Sequence, residues 1–286
     1  MRVSIVLLLI AATNAAVAQP TSAAPDRRCG EVVTIATHAG TTTRYAFAPP
    51  LDKPAPDARI TLVMLIGGGG HINLDDQGCP RLLSRNSLVR MRPYLHDAGI
   101  VTALVDAPSD LPGDEGLGGF RIASEHADDL GKVIADLRAR TNGPVWIAGH
   151  SRGSISAANA AARLAGPAAP DGVVLMSALM AGDMKARKTW VAHSVFSADL
   201  EAIKAPVLVI GHAADNCVRS PPELMGKITA RTRGARQQIV TVTGGPVNPG
   251  RPPNLAACEV REPHDFTDQE TELAAGIVRF IRGGSY

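Results

Sequence analysis

VWIAGHSRGSISAANAAARL, residues 145–164, is the stretch on which the reading of this chain turns. Val145 to Ala148 is a short apolar run of the kind that suits a strand buried on both faces. Ser154 to Leu164 is rich in alanine, which lets a helix lie close against a sheet. Between them, Gly149-His150-Ser151-Arg152-Gly153 leaves only five residues in which to pass from strand to helix. Such a turn is sharp, and glycines two before and two after the serine keep side chains out of the crowded backbone and project Ser151 from the sheet. G-x-S-x-G alone is a weak signal in a chain with 28 glycines. Its place between a strand and a helix is what makes Ser151 a candidate nucleophile, with the helix N-terminus behind it to favour developing negative charge.

Outward from this stretch the same alternation continues. Ile60–Ile66, Ile100–Val105, Val173–Met176, Val207–Ile210 and Ile239–Val242 are further short apolar runs. Helical patterns separate them: in Ser124–Arg140, Leu130, Val133, Ile134 and Leu137 fall on one face. In Thr267–Arg282 the apolar set is Leu273, Ile277, Phe280 and Ile281, with Thr267-x-x-Glu270 as a capping box. A helix before Ile100 is expected to start or kink at Pro93. Glu31–Thr37 and Arg44–Ala48 read as a hairpin joined around His38-Ala39-Gly40, ahead of a proline-rich linker, Pro49–Pro56. The implied fold class is α/β: a doubly wound, mostly parallel sheet with an N-terminal antiparallel hairpin. Ala178–Ala205 has room for one helix and a loop, so no large lid domain is expected. Ligands of such sheets bind beyond the carboxyl ends of the strands.

A serine hydroxyl is a poor nucleophile at neutral pH and needs a base, and the base needs an orienting acid. Asp215 follows the run that ends at Ile210, in Gly211-His212-Ala213-Ala214-Asp215. His264, in Glu262-Pro263-His264-Asp265-Phe266, precedes the last helix. His212 in the same loop, and Asp183 after the preceding strand, are competing polar candidates.

The order Ser, Asp, His, together with the elbow and the alternating strands, resembles the α/β-hydrolase family from about residue 31 onward. The resemblance implies Ser151 as nucleophile, His264 as general base and then acid, and Asp215 as the residue that orients it. It also implies an oxyanion hole from the main-chain N–H groups of Gly68, in the run Gly67-Gly68-Gly69-Gly70-His71, and of Arg152. His71, Asp106, Arg121 and His126 are candidate substrate contacts, with Asp110 beside them. His150 is expected to point away from the site as a packing residue, and Trp146 to be core.

The four cysteines, Cys29, Cys79, Cys217 and Cys258, have no C-x-x-C pair and no zinc-like spacing, so disulfides are expected. Cys217 lies two residues beyond Asp215 and Cys258 six before His264. A Cys217–Cys258 bridge would therefore tie the acid loop to the histidine loop, leaving Cys29 with Cys79. Residues 1–18, with Arg2 ahead of an apolar run and Ala16-Val17-Ala18 at its end, read as a signal peptide cut before Gln19. The run is too short for a membrane span, so no stable anchor should remain after cleavage. Residues 19–30 read as a flexible leader and 31–286 as a single domain, free in the periplasm or outside the cell.

The chain has 286 residues, 45% hydrophobic and 20% charged, with 29 Lys and Arg against 27 Asp and Glu. Neither sign gathers into a block, which argues against nucleic acid or an anionic membrane and for a small-molecule or peptide partner. The expectation is a serine hydrolase of an ester or related acyl compound, needing no cofactor and no metal. A peptidase or amidase of the same fold, a non-catalytic binding protein, and a metal site from His212, Asp215 and His264 are the alternatives.

Overall fold

A computed structural model describes residues 29–50, 60–247 and 252–286. The signal-peptide segment, nearly all of the leader and most of the proline-rich linker lie outside the described residues.

Among the described residues eight strands form one sheet: β1 (Glu31–Ala36), β2 (Thr42–Ala48), β3 (Thr61–Leu65), β4 (Val101–Val105), β5 (Val145–His150), β6 (Gly172–Met176), β7 (Val207–His212) and β8 (Gln237–Val242). Their order is β1-β2-β4-β3-β5-β6-β7-β8. β1 and β2 pair antiparallel, and β2 joins β4 antiparallel. All remaining pairs are parallel.

The helices are α1 (Ser87–Asp97), α2 (Ser124–Thr141), α3 (Gly153–Arg163), α4 (Met225–Thr229) and α5 (Glu270–Ile281). Strand side chains alternate between two apolar layers, as the period of 2 requires. Leu62, Met64, Trp146 and Ala148 pack with Leu88, Met91 and Leu95 of α1 and Leu273, Ile277 and Phe280 of α5. Val63, Leu65, Val145 and Ile147 pack on the other face with Leu130, Val133, Ile134 and Leu137 of α2 and the alanines of α3. The central runs are almost wholly apolar, Thr61 and Thr102 being buried exceptions, because both faces are covered. Trp146 is buried and meets Phe280 edge-on.

Four details depart from the sequence reading. Pro93 lies inside α1, on its exposed side, and the helix begins well ahead of it at an Asn86 cap whose side chain accepts the Leu88 N–H. α5 begins at Glu270 with Gln269 as its cap. Thr267 sits between Phe266 (φ 50°) and Asp268 (φ 62°), both left-handed, so the chain is still turning where the capping box would have to form. β8 is a sheet edge and alternates in exposure, with Ile239 42% exposed, so it is not covered on both faces. Ala178–Ala205 forms three short 3-10 turns, Thr189–Ala192, Val195–Ser197 and Leu200–Ala202, and no α-helix.

Strand order reverses between β3 and β5: the chain steps outward from β3 to β4, then returns to place β5 on β3's other side. The carboxyl ends of β3 and β5 therefore open the crevice where ligands of open α/β sheets bind. Leu65 and Gly149 are register partners there, so the Gly67–Gly70 loop and the Ser151 turn emerge side by side.

Candidate active site

Ser151 has φ 52°, a left-handed conformation that is uncommon for a residue with a side chain and marks a strained turn. Its N–H is held by the carbonyl of Met176 on β6 at 2.9 Å. Its carbonyl accepts the Ser154 hydroxyl at 2.5 Å. The two flanking glycines are sterically required: a side chain at Gly149 would run into the Gly153 carbonyl, and one at Gly153 into the carbonyl of Leu65 on β3. α3 therefore starts in contact with the sheet, with Ser151 held at its entrance.

His264 lies in a 3-10 turn, Pro263–Asp265, just before α5. Its Nδ1 donates to Asp215 Oδ2 at 2.9 Å, and both side chains are 1% exposed. Asp215 Oδ1 accepts the Cys217 N–H at 2.8 Å, which fixes the carboxylate. With the proton on Nδ1, Nε2 is the acceptor of the ring; it is buried and has no hydrogen-bond partner among the described residues. The expected Cys217–Cys258 bridge ties the two loops together, and Cys29–Cys79 is the second disulfide.

The competing candidates are occupied elsewhere. His212 Nδ1 accepts the Ala214 N–H at 3.0 Å and its Nε2 donates to the Gly244 carbonyl at 2.9 Å, so both ring nitrogens are used. Cys217 is the side chain placed to share a cation with Asp215 and His264, but its sulfur is bonded to Cys258. Neither set offers a three-ligand metal site. Asp183 pairs with Arg219 at 3.1 Å and is 42% exposed.

His150 is not simply a packing residue. Its Nδ1 accepts from the Asn86 amide at 2.8 Å, and its Nε2 donates to the main-chain carbonyl of His264 at 3.0 Å. Burial pushes its pKa down to about 4, which keeps the ring neutral and suited to this pair of bonds. On the other side of the turn, Asp265 accepts from Arg90 Nη1 at 2.5 Å and from the Ser87 N–H at 2.9 Å. Arg90 also reaches Glu270. The histidine turn is thus braced from β5 and from the start of α1, by residues that no local pattern marks.

Four consecutive glycines carry no side chains with which to hold their own backbone. Gly68 (φ 56°) and Gly70 (φ 77°) adopt left-handed conformations, and Gly70 N–H closes a turn onto the Gly67 carbonyl at 3.1 Å. The holding is done from outside. Arg121, 1% exposed, donates from Nη2 to the carbonyls of Ile66 and Gly68, both at 3.1 Å, and from Nη1 to Ser156 Oγ at 2.8 Å. His126 Nε2 meets the same Ser156 oxygen at 2.8 Å. Burial lowers the pKa of Arg121 to about 9 and of His126 to about 3.

Asp106 accepts the N–H groups of Ile72, Leu74 and Ala107 at 2.8 to 2.9 Å, fastening the segment that follows. His71 Nδ1 accepts the Gly113 N–H at 2.9 Å, and Asp110 pairs with His38 at 3.2 Å. His71, Asp106, Arg121 and His126, expected as substrate contacts, are therefore engaged around the glycine loop, and none of them lines the cleft at Ser151. The N–H groups of Gly68 and Arg152 have no acceptor among the described residues.

The cleft at Ser151 measures about 410 Å³. Gly67, Gly68 and Leu83 border it, with His150, Arg152, Leu179, Val191 and Arg219. Leu255, Cys258, Glu259 and Val260, from the loop the disulfide tethers, and Asp265, next to His264, complete it.

The architecture is that of the α/β hydrolases. A dienelactone hydrolase from Anabaena variabilis superposes with a TM-score of 0.53 at 15% identity, over 89% of this chain and 97% of that one. A lidless α/β serine hydrolase from Xanthomonas campestris gives 0.52 at 17%, over 88% and 93%. A thermostable carboxyl esterase from Bacillus coagulans gives 0.58 at 14%, over 88% and 98%. No family model and no curated protein matches the sequence itself. The chain has the α/β-hydrolase fold, without a lid domain among the described residues.

Proposed function

We propose that this protein is an exported serine hydrolase that cleaves an ester or related acyl compound through an acyl-enzyme. Ser151 Oγ attacks the substrate carbonyl carbon while its proton passes to His264 Nε2. The resulting oxyanion is met by the N–H groups of Gly68 and Arg152. Collapse of the tetrahedral intermediate breaks the bond to the leaving group, which takes the proton from His264. A water then attacks the acyl carbon, loses its proton to His264, and the acid departs as Ser151 regains its hydrogen. Asp215 stays ionised throughout, holding the imidazole in the needed tautomer and stabilising its charged form.

The observation that carries this reading is the buried His264–Asp215 pair, its Nδ1 satisfied and its Nε2 without a partner among the described residues, in a turn braced against the residue before Ser151. The export half of the proposal rests on the residue 1–18 pattern and on the two disulfides, which persist in oxidising compartments. Among the described residues no helix is long and apolar enough to cross a membrane.

A fluorophosphonate probe tests the nucleophile. Folded protein should be labelled at Ser151, and labelling should vanish in Ser151→Ala. An unlabelled wild-type protein with intact circular dichroism would reject the assignment.

A further inference from the structure

Two arginines border the Ser151 cleft, and their charges are poorly answered. The Arg152 guanidinium stacks on the Trp190 ring, 4.2 Å from its centroid, and none of its N–H groups donates to a described residue. Arg219 sits close enough that, after burial, its positive charge is the next cause holding the Arg152 pKa down. Arg219 has a carboxylate, Asp183 at 3.1 Å, but that acid is 42% exposed while the arginine is 14% exposed, so the pair sits at a wet edge and is weak.

Neither acid bordering the same cleft answers them. Asp265 is closed by Arg90 and the Ser87 N–H, and Glu259 is solvent-exposed without an ion pair among the described residues. Partly buried guanidiniums are ordinarily paired, and their planar fork matches a carboxylate. With Asp183 on Arg219, the Arg152 guanidinium is left without a carboxylate among the described residues, and a monoanion reaching it would neutralise that charge. The surrounding Leu179, Val191 and Trp190 are apolar, which strengthens an ion pair formed there.

We infer that the substrate of this site carries a carboxylate besides the acyl group under attack, and that Arg152 and Arg219 bind it. Arg152 would then serve twice, its main-chain N–H at the oxyanion and its side chain at the remote charge. Trp190 holds the guanidinium plane in place for that contact, which makes the preference one of fixed geometry as well as charge.

The inference rests on Ser151 being the nucleophile, and the test separates the two. The mature protein is treated with a pair of alkyl fluorophosphonates that differ only at the far end of the chain, one a free carboxylate and the other its methyl ester. The second-order rate of labelling should be about tenfold or more higher for the acid, the size of a charge-assisted hydrogen bond. The ratio should shrink as salt is added. In Arg152→Met and in Arg219→Met it should fall toward unity, and Arg152→Lys should restore part of it. Equal labelling by both probes would leave the hydrolase reading standing and overturn this one. A preference that survives in both methionine variants would overturn it as well. Failure of both probes on folded protein would reject the nucleophile, and this inference with it.

Discussion

A methyl group on Gly67 would sit 2.9 Å from the Ser151 Cβ and 3.5 Å from its hydroxyl oxygen. Gly67 itself lies outside the left-handed φ range, so alanine there meets no φ penalty, and the collision falls on Ser151 and on the carbonyl of His150 beside it, 3.1 Å from the added carbon. Gly67→Ala should therefore lower kcat/KM by about 10²-fold, the scale of a small misplacement of a reacting group, with little change in Tm. Full activity with unchanged Tm would show that Ser151 does not occupy this wall during turnover. The residue scale also separates what is visible in a chain from what is not. Ser151, Asp215 and His264 are legible because each follows a strand run in a recognisable order. Arg121, Asp106 and His150 are not, because their work is to bind carbonyls and amides of loops 32 to 114 residues away.

At the scale of elements, the Cys217–Cys258 bridge spans 41 residues and joins the loop after β7 to the 3-10 turn Ala256–Cys258, ahead of the His264 turn. The chain-entropy model assigns a loop of that length roughly 4 kcal/mol. A Cys217→Ser/Cys258→Ser variant should lose stability of that order in urea unfolding, and its activity should fall at lower temperature than the wild type's. Unchanged activity up to the same temperature would show that the Arg90–Asp265 and His150 contacts hold His264 without the bridge. Central strands are directly legible because a strand covered on both faces is almost wholly apolar. β8 and the start of α5 are less so: an edge strand shares its apolar residues with solvent, and a cap motif is only a cap if the backbone has finished turning.

For the molecule as a whole, acid should destabilise more than the carboxylates alone account for. Burial lowers His150 to about 4, His126 to about 3 and His96 to about 4, each from an ordinary value of 6.5. Below pH 6.5 the unfolded chain takes up protons at these histidines that the folded protein refuses, so stability falls as pH drops toward 4. Each tenfold loss of proton affinity at a buried ring corresponds to roughly 1.4 kcal/mol. His38, raised chiefly by its hydrogen bond to Asp129, acts in the opposite sense and offsets a part. The urea midpoint should be clearly lower at pH 4.5 than at pH 7. Equal midpoints would mean that the buried rings take up protons in the folded state.

From the chain alone came the alternating class of the fold, the sharp turn at Ser151, the His264 and Asp215 candidates downstream and the pairing of the cysteines. These are local or ordered along the sequence: periodicity, a spacing, a succession of strand ends. Only the tertiary structure decided what the remaining polar residues do. Arg121 is turned to the glycine loop, whose residues have no side chains to hold it, His126 to Ser156, and Asp106 and His71 to main-chain amides of the neighbouring segments, while Arg152 and Arg219, distant in sequence, are brought to one cleft. Burial and proximity, which no window of sequence contains, divide residues that hold the site from those free to meet a substrate.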